Sequence, residues 1–125
     1  MDMPLVWVIS SDSDARRLIG LNLSKRGLQT REISPKDELA PSGAEPHLII
    51  LDSDPAAKVD WRAATALRQD PRLREVPLLL ILAAPPTSSR LVPLQPVRWV
   101  EKPLDMDALV SLVRESLAWP GEGLA

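Results

Sequence analysis

Residues 48–54 read LIILDSD: four apolar residues, then a carboxylate at Asp52 and a second, Asp54, two positions on. Few other residues could do chemistry. The chain has no cysteine and one histidine, His47. Disulfides, thiol chemistry, cysteine-based zinc sites and a histidine cluster are therefore excluded. Carboxylates and Lys102 remain, with hydroxyls but no histidine base placed to activate them. An unbroken apolar run suits a strand buried on both faces, hence a parallel sheet covered by helices. In such sheets ligands and chemistry collect at the carboxyl ends of the strands, where Asp52 stands.

The elements that must position Asp52 follow from the patterning. Leu5–Ile9 reads as a first buried strand, and Ser10 to Asp14 supplies helix N-caps. Ala15, Leu18, Ile19 and Leu23 fall at helical spacing, with Asn22 at the margin of their stripe and Gly27 closing the helix. The pair Arg16-Arg17 reads as a solvated helix face. Leu28–Ile33 alternates apolar and polar residues, as an edge strand does. Pro35, Pro41 and Pro46 leave room for a turn or two of helix around Lys36–Ala40. Leu48–Asp52 is the central strand, and a helix from about Asp60 to Gln69 presents Trp61, Ala64 and Leu67. DPRLREVP (70–77) turns into the next strand, Leu78–Leu82. Four prolines in 84–96 make any helix there very short or absent. Val97–Val100 is the last strand. Asp105 caps a final helix carrying Met106, Leu109, Val110, Val113 and Leu117, which Pro120-Gly121 ends. Strands alternating with helices five times argue for a doubly wound, three-layer α/β sandwich.

Composition narrows the function. The 125 residues suit one domain, residues 1–125, with 45% hydrophobic and 26% charged residues. A net charge of −2 without a basic cluster argues against nucleic acid. No signal peptide is read at the start, and the longest apolar run, Pro77 to Pro86, is too short to span a bilayer. Proline at 13 residues is about twice its usual share of ~5%. Trp7 reads as core, Trp61 and Trp119 as partly covered helix residues, and Trp99 as either core filler or contact residue. His47 reads as a surface residue at strand entry.

Taken together, the strand-ending Asp52, the 70–77 turn, Gly27 after the first helix and Lys102-Pro103 after the fifth strand resemble a response-regulator receiver domain over nearly the whole chain. The resemblance implies a flavodoxin-like fold with a five-stranded parallel sheet in the order 2-1-3-4-5. The family's fourth helix would here be shortened or missing, cut by Pro85, Pro86, Pro93 and Pro96, and the first and last helices should lie on one face. The resemblance makes Asp52 the phosphoacceptor position and Lys102 the phosphate contact, with a cis bond before Pro103 in keeping with proline's small trans preference.

The departures are specific. The acid pair that binds magnesium in the family falls on Ser10 and Ser11. Magnesium wants hard, preferably anionic, oxygen ligands, so no cofactor is expected and magnesium would be held weakly, with Asp12 as its one compensating ligand. The switch hydroxyl is replaced by Ala83, and Trp99 holds the aromatic switch position. The usual downstream proline has become Ala56, after Pro55. The expectation is an atypical, cytoplasmic receiver without an output domain and without enzymatic activity. It would work in two-component or phosphorelay signalling by binding a histidine kinase, a downstream regulator or a second copy, as a homodimer. Two alternatives stand beside it. Asp52 could be phosphorylated through a weakened magnesium site. The string Asp-Ser-Asp is also similar to the first motif of haloacid-dehalogenase-type phosphotransferases, but lacks that family's later acidic pair.

Overall fold

The computed structural model describes residues 3–35, 44–52 and 61–118. In order they form β1 (Leu5–Ser10), α1 (Ser13–Ser24), β2 (Gln29–Ile33), β3 (Leu48–Asp52), α2 (Trp61–Gln69), β4 (Leu78–Leu82), α3 (Ser88–Leu91), β5 (Val97–Glu101) and α4 (Met106–Ala118). The expected helical turns at Lys36–Ala40, the residues Asp54, Pro55, Ala56 and Trp119, and the Pro120-Gly121 terminator lie outside the described residues.

The five strands are parallel and ordered β2-β1-β3-β4-β5, the order the resemblance implied. All five residues of β3 and of β4 are buried, as expected of strands covered on both faces. β2 lies at an edge, with one buried residue, Ile33.

Residue parity sorts the core into two layers. Val6, Val8, Leu48, Ile50, Leu79 and Ile81 meet Ile19 and Leu23 of α1 and Leu109, Val110 and Val113 of α4. Trp7, Ile9, Ile49, Leu51, Leu78, Leu80 and Leu82 meet Ala64 and Leu67 of α2, with Leu73 and Leu94 closing the layer. Each such aliphatic side chain removed from water contributes about 1.5–3 kcal/mol. The two layers therefore hold the sheet from both sides, and α1 and α4 share one face as expected.

The stripe of α1 is narrower than its sequence suggests. Leu18 is 54% exposed and Leu21 49%, while Ile19, Gly20 and Leu23 are buried. Gly20 lies over β2, where a Cβ would stand 3.1 Å from Glu32 Oε2, the tip of an exposed side chain. Gly27 takes a positive φ of 86° and Leu28 N–H returns to the Leu23 carbonyl, which ends the helix where expected.

Between β4 and β5 the prolines act as anticipated. Thr87 starts a four-residue α3, which runs into a 3-10 turn at Val92–Leu94. The Lys102-Pro103 bond is cis, and so is Gln95-Pro96. Asp105 accepts from the N–H groups of Asp107 and Ala108 and so caps α4.

Candidate functional site

The parallel register sets Ser10, the last residue of β1, directly beside Asp52, the last of β3. Both continue the even-numbered parity that faces α1 and α4, so their side chains meet at one corner of the sheet. Ser10 Oγ donates to Asp52 Oδ2 at 2.8 Å, and both residues are buried. On the other side Lys102 Nζ lies 3.0 Å from Asp52 Oδ1. Lys102 is delivered by the end of β5, where its N–H donates to the Leu82 carbonyl. Its side chain keeps 20% exposure against 4% for that of Asp52. Each oxygen of the central carboxylate thus has its own partner, one cationic and one neutral.

The neighbouring positions divide. Asp12 N–H donates to Ser10 Oγ at 3.1 Å, while the Asp12 carboxylate turns to α1 and accepts from Asp14 and Ala15 N–H. It is the N-cap of that helix. Ser11 is exposed. Ala83 follows β4 on the Leu79–Ile81 parity, the face of Asp52, and is exposed and without a hydroxyl. Trp99 is half-buried and packs with the α2 layer, the opposite face of the sheet. The structure therefore brings Ser10, Asp52 and Lys102 together, leaves Ser11 in solvent and sends Trp99 elsewhere.

This donor set does not fit a magnesium ion. A hard divalent cation needs several oxygen donors, anionic for preference. Among the described residues the corner offers one carboxylate, already engaged by an ammonium group at 3.0 Å. The serine beside it has committed its proton to that same carboxylate. Among the described residues no three His, Cys, Asp or Glu side chains are grouped to hold a metal.

Two arginines matter more than the sequence indicates. Arg16 was expected on a solvated face, yet it is half-buried and its Nη1 donates to the Ser10 carbonyl; its neighbour Arg17 is exposed. The i+6 spacing brings it back over the strand end it follows. Arg68 is only 8% exposed. Its Nε donates to the Leu94 carbonyl at 2.8 Å, Nη1 to Leu73 at 2.7 Å and Nη2 to Pro96 at 2.7 Å. Burial lowers the pKa of its guanidinium from the ordinary arginine value. No sequence signal pointed to it, because its acceptors are backbone atoms. His47 does as expected: it is exposed, and pairs with Leu5 through both its N–H and its ring Nδ1, extending the β1–β3 pairing at strand entry.

No protein-family model and no curated protein sequence matches the chain. Solved structures do. The chemotaxis protein CheY4 of Vibrio cholerae superposes with a TM-score of 0.79 at 16% identity, over 92% of this chain and 99% of that one. A sensor protein from a Polaromonas species gives 0.75 at 22% identity, over 94% and 98%. The signal receiver domain of a signal transduction histidine kinase from Syntrophus aciditrophicus gives 0.72 at 20%, over 95% and 93%. At these identities the likeness speaks for architecture, and with the β2-β1-β3-β4-β5 sheet it supports one conclusion: the chain has the fold of response-regulator receiver domains.

Proposed function

We propose that this chain is an atypical receiver module of two-component or phosphorelay signalling that works by binding another protein, with Asp52 as a structural corner and not a phosphoacceptor. The observation that carries this reading is the Asp52 corner itself, a single carboxylate bridging Ser10 Oγ at 2.8 Å and Lys102 Nζ at 3.0 Å. Phosphoryl transfer is accelerated mainly by neutralising the charge that builds on the transferred group. One ammonium and one hydroxyl are a poor substitute for a metal in that task. Readout of a phosphoryl group is equally impaired, since Ala83 has no hydroxyl and Trp99 packs on the far face. On this reading residues 1–125 act as one cytoplasmic domain with no catalytic turnover. Its partner is a histidine kinase, a downstream regulator or a second copy of the chain.

The test is intact-mass measurement after incubation with a small phosphodonor and magnesium, for the native chain and Asp52→Ala. No phosphoryl increment is expected in either. An increment confined to the native chain would overturn the reading in favour of a phosphoacceptor using Lys102 and Asp12. Continuous release of phosphate that depends on Asp52 would point instead to a small phosphotransferase.

A further inference from the structure

Within itself the β4–β5 crossover makes few backbone hydrogen bonds, among them those of Arg90 and Leu91 N–H to Thr87 and of Gln95 N–H to Val92. Its prolines at 85, 86, 93 and 96 lack N–H donors. α3 is a single turn of four residues, too short to persist unaided. Yet the crossover seats Leu94 in the core at 3% exposure and delivers β5 to the sheet edge. Two arginines, reaching in opposite directions, supply what the backbone lacks. From α2, Arg68 sends three of its donors to the carbonyls of Leu94, Pro96 and Leu73, which lie on the crossover and on the turn after α2. From the crossover, Arg90 lays its guanidinium over the Trp61 ring of α2, 5.4 Å from the centroid. The Pro96 carbonyl also accepts from Leu78 N–H, so the same atom joins the clamp to β4.

We propose that Arg68 and Arg90 form a two-way clamp that holds the β4–β5 crossover against α2 in one conformation, whatever the state of Asp52. The planar fork of an arginine can reach three separate carbonyls at once, which a lysine ammonium on its single nitrogen cannot do here. The clamp lies on the α2 side of the sheet and Asp52 on the α1–α4 side. Ala83, at the start of the crossover, has no hydroxyl to connect them. The independence from Asp52 deepens the functional reading above and rests on it; the clamp does not.

Hydrogen–deuterium exchange on the full chain tests it. The amides to follow are Arg90, Leu91 and Gln95, bonded to the carbonyls of Thr87 and Val92. In Arg68→Lys they should exchange about tenfold faster or more, with β1 and β3 unchanged, because a local opening governs their rate. Arg90→Gln, an exposed position, should accelerate the same amides by a smaller factor. Asp52→Asn should leave them at the native rate. Native exchange in both arginine variants would overturn the clamp, as would acceleration spread evenly over the sheet. Faster exchange of these amides in Asp52→Asn would overturn the independence alone. Should Arg68→Lys fail to fold, Arg90→Gln decides by the same criterion. Phosphorylation of Asp52 in the mass experiment would defeat the functional reading while leaving the arginine result standing, so the two failures are distinguishable.

Discussion

Two buried charges anchor this domain on opposite faces of one sheet, and they are satisfied in opposite ways. Asp52 meets side chains, Ser10 and Lys102. Arg68 meets only backbone carbonyls, those of Leu73, Leu94 and Pro96. A corner made of side chains can be rewritten residue by residue while the strands stay in place, and Ser10 and Ala83 stand where the resemblance expects an acid and a hydroxyl. A hub made of carbonyls has no such freedom, because every sequence carries those atoms and only the chain path brings them together. The Asp52 corner therefore records what chemistry this domain retains. The Arg68 hub records what its architecture requires.

The comparison can be broken most forcefully at the hub. Arg68→Leu removes three charge-assisted bonds and leaves the Leu94 carbonyl without a donor, while Leu73 and Pro96 keep the N–H groups of Val76 and Leu78. The loss should cost about 3–5 kcal/mol, read as a lower urea midpoint at an unchanged slope. Asp52→Ala should cost less, about 1–3 kcal/mol. Lys102 loses its contact with Asp52, but a side chain with 20% exposure can rehydrate. Pairing it with Lys102→Met should recover part of that loss in a double-mutant cycle. If Asp52→Ala proves the more damaging of the two, the ranking of corner and hub is reversed.

Smaller changes sharpen the picture. Ser10→Ala removes one donor to Asp52 and one acceptor for Asp12 N–H, and should cost about 1–2 kcal/mol in chemical denaturation. Asp12→Ala should cost about 1 kcal/mol through the lost cap, with α1 amides exchanging faster first. If Asp12 instead bound magnesium, the native midpoint would rise with millimolar magnesium and this variant would abolish the rise. The weakest effect belongs to Asp70, held below the usual carboxylate range by its hydrogen bonds to Arg72 at the solvent-exposed turn. A depressed folded pKa contributes stability above the unfolded value and loses it as pH falls through the folded one. Asp70→Asn should thus differ slightly from the native chain at neutral pH. The difference should vanish in acid and shrink in high salt, followed by thermal unfolding.

Much of the fold was legible because burial writes itself into composition. LIILD and LLLIL are apolar at every position that needs to be, and both became central strands buried throughout. Gly27 and Asp105 marked their helix ends by local backbone chemistry, which needs no distant partner. The prolines of 84–96 announced a short helix for the same reason. Leu18 falls at the helical spacing of α1 yet is 54% exposed, because spacing defines a stripe but not the roll of the helix. Arg16 was misjudged as solvated because its acceptor, the Ser10 carbonyl, carries no residue type.

The sequence by itself determined the alternation of elements, the two-faced burial of the central strands and the residue types at the Asp52 corner. These are local properties, set by periodicity, capping and the chemistry of single side chains. Tertiary structure alone decided that Ser10 would bond Asp52 in place of an acid, that Trp99 would lie across the sheet from Asp52, and that Arg68 would gather three carbonyls. Each of those depends on register or on distance between segments far apart in the chain. The physical reason is the same throughout: a side chain states what it can bond, and only the folded path supplies what it does bond.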